Sequence, residues 1–207
     1  MIVSNTRVYG FDESIRASKY PMATNTEDCT VEITERQRTL ASSPKGEGHD
    51  NFLCGIIVQF DLTFTVKAWT EAERYHFFDI VSSQSTMHRI SKFDLEEQYI
   101  GYVDERIIAI MKEKVEQYNE LERKVKQAKE EKSLSKAWIK DAEEDLKIRY
   151  LEILYSNPCG FRLTAAMTTN YRQLKTIYSQ RRFHRLPEWR EFCEFIESLP
   201  HSELITR

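Results

Sequence analysis

The sequence predicts an α+β fold (α/β in the broad sense), and three observations carry that expectation. The segment "NFLCGIIVQFDLTFTVKAW", Asn51 to Trp69, alternates partly and is rich in β-branched and aromatic residues, which suit a pleated, half-buried surface. Residues 103–155 place apolar side chains at helical spacing among many charges. Near the C-terminus, "PEWREFCEFIES" is amphipathic at the helical period, with Pro187 where a first turn tolerates it. A chain of 207 residues with 41% hydrophobic and 12% aromatic content can bury a substantial core, so it is read as a single domain over 1–207 with a helical pair at about 103–155.

The elements follow in order. Residues 24–51 are polar and rich in turn formers, which predicts a long irregular connection. Asn51 to Trp69 then supplies one long strand or two consecutive short ones. Thr70-Glu-Ala-Glu73 reads as a capping box, in which Thr and Glu side chains satisfy the first free amides of a helix, and it predicts a helix through "AERYHFFDIVSS". Ile107, Ile108, Ile110, Met111, Val115 and Tyr118 mark the first of two long helices. Ser133 or Ser135 caps the second, so the two form a hairpin joined near Glu131 to Ser135. The run "ERKVKQAKEEK" reads as a solvated face. Pro158 and Gly160 interrupt the pattern, and "FRLTAAM" is a short strand or turn leading into "TTNYRQLKTIYSQRRFHRLPEWREF", whose first half is helical.

Charge and cysteine content narrow the function classes. Lys plus Arg is 30 against Asp plus Glu at 33, a net charge of −3, so no whole-molecule attraction to nucleic acid or an anionic membrane is expected. No window approaches the roughly 18 apolar residues of a membrane span, and the N-terminus lacks a signal-like apolar core. The expectation is a soluble, cytoplasmic protein. Cys29, Cys54, Cys159 and Cys193 are far apart, with neither a CxxC pair nor a partnered His, which suits reduced thiols and no metal site.

On a helix with 3.6 residues per turn, Asn170, Leu174, Ile177 and Arg181 fall close to one line, with Arg172 and Thr176 to either side. An arginine closing a half-buried face needs a partner, because an unpaired buried guanidinium costs several kcal/mol. That partner is either a protein carboxylate or a ligand phosphate or carbonyl. The cluster Arg181 to Arg185 also admits a nucleic-acid patch, although it matches no nucleic-acid motif.

Asn170-x-Arg172-x-Leu174, with Arg181 eleven residues after the Asn and Pro158 twelve before it, resembles the C-terminal signature of the flavin-dependent thymidylate synthases. Two further blocks are similar to that family. "GHDNFLCGIIVQFDLTF", from Gly48, resembles its Gly-His stretch leading into a Phe-rich strand, and the family's Arg-His-Arg motif falls on Arg74-Tyr75-His76, with Gln84 or Ser85 at the Ser that closes the motif. Ser18 in "IRASKY" resembles the Ser of an N-terminal Arg-x-Ser. The departures are Tyr75 for the central His, His76 for the second Arg, and "LPEWRE" in place of the sequence that usually follows the last Arg.

The resemblance implies a central, mostly antiparallel sheet flanked by long helices, and a homotetramer holding FAD between subunits. It implies one-carbon transfer from methylenetetrahydrofolate to C5 of a pyrimidine deoxynucleotide monophosphate, with NADPH as reductant: dUMP methylation or a related modification such as hydroxymethylation. By the same resemblance Arg181 is catalytic, polarising the pyrimidine carbonyl and binding substrate. Ser18, His49, Arg74, Tyr75, His76, Asn170, Arg172, Thr176 and Arg185 contact the cofactor, and Gln84 or Ser85 holds the nucleotide phosphate. The alternatives are a non-catalytic nucleotide- or flavin-binding protein of the same fold, and a nucleic-acid-binding protein using residues 181–185.

Overall fold

The computed structural model describes residues 1–44 and 46–207. Its helices are α1 (Phe11–Ala17), α2 (Glu35–Ala41), α3 (Val66–Ala72), α4 (Thr86–Arg89), α5 (Glu105–Glu131), α6 (Lys136–Ser156), α7 (Tyr171–Arg181), α8 (Pro187–Glu197) and α9 (Glu203–Thr206). The strands are β1 (Ile2–Tyr9), β2 (Ile57–Thr65), β3 (Phe78–Ser83) and β4 (Arg162–Asn170), in one sheet of order β1-β2-β4-β3. β1 pairs antiparallel with β2, Ile2 opposite Thr63, and β3 pairs antiparallel with β4, Phe78 opposite Thr169. The fold is therefore α+β with an antiparallel sheet.

The chain divides into two compact units, one of residues 1–64, 68–83 and 164–207, the other of 65–67 and 84–163. In the first, the period of two along β2 puts Val58, Phe60, Leu62 and Phe64 on one buried face. There Phe64 meets Trp189 of α8 at 5.0 Å between ring centroids and Phe192 at 5.9 Å, while Phe60 and Phe78 also pack on Phe192. Each such ring contributes about 1.5–3 kcal/mol by leaving water, so this aromatic layer fixes α8 against the sheet. Gly10 enters α1 at φ +67°, and a Cβ there would lie 2.5 Å from the carbonyl oxygen of Gly55, so only glycine suits the turn.

In the second unit the helical hairpin forms as its spacing predicts. Ser135 Oγ accepts from the Trp138 amide at 3.1 Å, fixing the start of α6. Met111 and Val115 of α5 pack with Ile153 of α6 around Ile90, Leu95, Tyr99 and Phe161.

Three local expectations differ from the structure. α3 begins at Val66, inside the segment read as strand, and ends at Ala72, so Thr70-x-x-Glu73 does not open a helix. The residues read as the following helix form a turn and β3, because Phe78, Ile80 and their neighbours pair with β4 and long-range pairing outweighs a local capping pattern. Within 24–51, Thr34 and Gln37 form a capping box that starts α2. β1 has no counterpart among the expected elements; it is an edge strand with most side chains exposed, so it lacks the alternation that marks a half-buried strand.

Candidate functional site

α7 carries the center of the site. Asn170 ends β4 in extended conformation, and its side-chain oxygen accepts from the Gln173 amide at 2.8 Å, which starts the helix one residue later. Leu174, Ile177 and Arg181 then share the buried side of α7, and Arg181 is only 9% exposed.

The Arg181 guanidinium is held from several directions. Nε donates to Tyr75 Oη at 2.7 Å, Nη1 donates to Glu71 Oε2 at 2.8 Å, and the plane lies over the Trp189 ring, 4.7 Å from its centroid. Tyr75 passes the chain on by donating to Gln180 Oε1 at 3.0 Å. His184 Nδ1 accepts from the Leu186 amide at 3.2 Å. His184 Nε2 lies 2.7 Å from Arg181 Nη1 and 3.4 Å from Glu71 Oε2, so imidazole, guanidinium and carboxylate meet at one point. The protein carboxylate left open by the spacing is Glu71. Among the described residues no protein acceptor meets Nη2 of Arg181, so its two N–H groups remain available.

An open cleft of about 550 Å³ adjoins this cluster, lined by Glu71, Gln180, Phe183, His184, Arg185 and neighbours. Arg185 and Phe183 are exposed, Phe183 at 85%. Tyr75 and Arg185 are thus brought to the same corner as Arg181. Arg74 and His76 flank Tyr75 as exposed residues of the turn between α3 and β3.

A second cluster lies further along α7. Arg172 Nε is 3.0 Å from Asp50 Oδ1, and Lys175 Nζ is 2.9 Å from Asp50 Oδ2 and donates to the Ser43 carbonyl. Asp50 is buried, and two cations facing one carboxylate leave a surplus positive charge beside the exposed His49. Thr176 hydrogen-bonds back to the Arg172 carbonyl. This donor set suits an anionic group such as the pyrophosphate of the FAD that the resemblance implies. Ser18 is set differently: it is buried, donates to the Ile15 carbonyl at 2.6 Å and accepts from Gln37, so its hydroxyl is committed inside the protein. Gln84 and Ser85 belong to the second unit, Gln84 exposed and Ser85 at the start of α4.

Glu71, Gln180, His184, Asp50 and Lys175 were not among the expected site residues. Glu71 stands three residues before Arg74 and His184 three after Arg181, yet only the folded turn between α3 and β3 brings the first pair of elements together. Asp50 directly follows Gly48-His49, the one local signal for it. Among the described residues, no helix is long and apolar enough to cross a membrane.

No protein-family model matches the sequence, and no curated protein matches it. Solved structures do. A flavin-dependent thymidylate synthase ThyX from Helicobacter pylori, complexed with FAD and dUMP, aligns over 99% of this chain and 98% of its own, with TM-score 0.65 and 15% identity. A second structure of thymidylate synthase X from the same organism, also with FAD and dUMP, aligns over 100% and 97% at TM-score 0.64 and 14% identity. A UMP/dUMP methylase PolB from Streptomyces cacaoi, bound with 5-Br dUMP, aligns over 94% and 89% at TM-score 0.52 and 13% identity. This chain therefore has the flavin-dependent thymidylate synthase fold, in a sequence far diverged from those structures.

Proposed function

We propose that this protein is a flavin-dependent enzyme that transfers a one-carbon unit to C5 of a pyrimidine deoxynucleotide monophosphate, from methylenetetrahydrofolate and with NADPH as reductant. The observation that carries the reading is the state of Arg181, fixed through Nε and Nη1 while Nη2 keeps two donors available. A guanidinium locked in place needs no reorganisation when charge develops on a pyrimidine carbonyl, which is the condition for transition-state stabilisation. Tyr75, Glu71 and the Trp189 ring hold it, and the cleft beside Gln180 and His184 takes the base.

Bound flavin would supply the hydride. For the chain's own part, Arg172, Lys175 and Thr176 hold the anionic portion of the cofactor, with Asp50 orienting the two cations. His49, Arg74, His76 and Arg185 are exposed positions for further contacts, and Asn170 sets the helix on which these residues stand. In the same reading Gln84 or Ser85 takes the nucleotide phosphate, in a homotetramer whose neighbouring chains complete each site.

The test is Arg181→Lys, which retains a cation for Glu71 but loses the fork. The expected outcome by isothermal titration is a nearly unchanged melting temperature and FAD affinity, with nucleotide affinity reduced by about 1.5–3 kcal/mol, the worth of a charged hydrogen bond. A folded Arg181→Lys protein that binds deoxyuridylate and deoxycytidylate as tightly as wild type would sink the role given to Arg181. The engagement of Tyr75 by Arg181 and Gln180 favours one other reading, a binding protein of this fold without redox turnover. Product formation from nucleotide, methylenetetrahydrofolate and NADPH separates the two.

A further inference from the structure

We infer that the turn from Arg182 to Arg185 docks a further ligand of the reaction, a co-substrate that carries an aromatic ring and a negatively charged group, with Phe183 stacking on the ring and Arg185 pairing with the charge. The inference rests on the proposal that a pyrimidine nucleotide and a flavin react at this site, and it assigns the residues that meet the molecule joining them.

Phe183 stands 85% exposed on the wall of the 550 Å³ cleft. The Arg182 guanidinium lies 4.9 Å from the centroid of its ring and 5.8 Å from that of Tyr178, whose hydroxyl donates to Glu197 Oε1 at 2.7 Å. One face of the phenyl ring therefore rests on a cation, and the other is open to solvent. The backbone beneath it is fixed as well. Arg190 Nη1 donates to the carbonyls of His184 and Arg185 at 2.6 and 3.1 Å, and the His184 amide donates to the Arg181 carbonyl at 2.9 Å. Arg185 lines the same cleft; it is exposed, and among the described residues its guanidinium meets no protein acceptor. The carboxylate on that wall, Glu71, is bound to Arg181 at 2.8 Å.

An open ring face and an available guanidinium on one fixed turn complement a ligand with the two matching parts. Stacking on an aromatic side chain suits any flat ring, and a guanidinium binds a carboxylate or a phosphate through paired N–H groups. A ring and a backbone already held in place lose little freedom when the ligand arrives, which favours affinity. In the proposed reading the base lies in the cleft and the anionic portion of the cofactor at Arg172 and Lys175, so the rim formed by Phe183 and Arg185 is left to a co-substrate. Both co-substrates of that reading share the required chemistry. The reduced folate has an aryl ring followed by glutamate carboxylates, and NADPH has an adenine followed by phosphates.

The experiment is a calorimetric titration of the full-length protein in saturating FAD with two separate probes, 5-formyltetrahydrofolate and NADP⁺, and with deoxyuridylate and deoxycytidylate as nucleotide controls. It is run on wild type, Phe183→Ala, Phe183→Tyr and Arg185→Ala. Both side chains are exposed, so all three variants should keep the wild-type melting temperature. The inference expects a probe to bind wild type and to lose about tenfold in affinity in Phe183→Ala, with the loss restored in Phe183→Tyr, which keeps the ring. Arg185→Ala should lose about fivefold, together with part of the salt dependence. The probe that responds identifies the co-substrate, while nucleotide and FAD affinities stay as in wild type. Probe affinity unchanged in Phe183→Ala, or no binding of either probe to wild type, would overturn the inference. An equal loss for the nucleotides or for FAD would overturn it too, by returning the turn to those ligands, and a changed assembly in sedimentation with probe affinity retained would give the ring to a subunit contact instead. Failure of the nucleotides and FAD to bind wild type would overturn the reading on which the inference rests, and the inference with it.

Discussion

Arg181 shows how a single side chain can be legible in kind and not in detail. Spacing along α7 is enough to require a partner for a guanidinium on the buried side, and the structure supplies Glu71, 110 positions earlier in the chain. No local pattern links the two, because the contact depends on where α3 ends and β3 begins, and the capping pattern at Thr70 points to a different arrangement. Removing the guanidinium takes a charged partner from a largely buried carboxylate. Arg181→Ala is therefore expected to cost about 3 kcal/mol or more, lowering the melting temperature by roughly 10 °C for a chain of this size, as a thermal melt would record. Cysteine chemistry offers a second residue-scale check. Cys54 and Cys159 are exposed, whereas burial pushes the Cys193 thiol up to about 12. A thiol held protonated at pH 8 is a poor nucleophile. Thiol-specific labelling at that pH should modify Cys54 and Cys159 quickly and Cys193 only on unfolding. Fast labelling of Cys193 in folded protein would contradict the packing described for α8.

At the level of elements, the strongly periodic segments were readable and the short, tertiary-dependent ones were not. The helical hairpin, α8 and the helix after Asn170 follow from spacing and caps that act within a few residues. β3 and β1 follow from pairing partners far along the chain, Thr169 for Phe78 and Thr63 for Ile2, so a local reading turns the first into helix and misses the second. The cap on α7 links element to site, since Asn170 sets the register that delivers Arg172, Thr176 and Arg181. Asn170→Ala should cost about 1 kcal/mol of stability, and Asn170→Asp, which keeps an acceptor for the Gln173 amide, should restore most of it. Equal losses in the two variants, measured by denaturant unfolding, would show that the amide does something other than cap.

For the whole molecule, the net charge of −3 leaves any anion site to local clusters, and the surplus at Arg172, Lys175 and Asp50 is one. Apolar side chains remain exposed on the edge strand at Ile80 and Val81, and along α6 at Ile148, Leu151 and Tyr155. The spacing of the last three puts them on one helical face, as a buried subunit contact requires. A homotetramer is expected in sedimentation at micromolar concentration, and a monomer there would remove the shared-site part of the proposal. The central claim, that this fold serves flavin chemistry on a pyrimidine nucleotide, is tested most directly by FAD fluorescence as protein is added at neutral pH, followed by addition of deoxycytidylate or deoxyuridylate. The account predicts saturable quenching, then a further change in the flavin signal when the base enters beside the ring. Flavin fluorescence that stays constant up to high micromolar protein, with and without nucleotide, would contradict it.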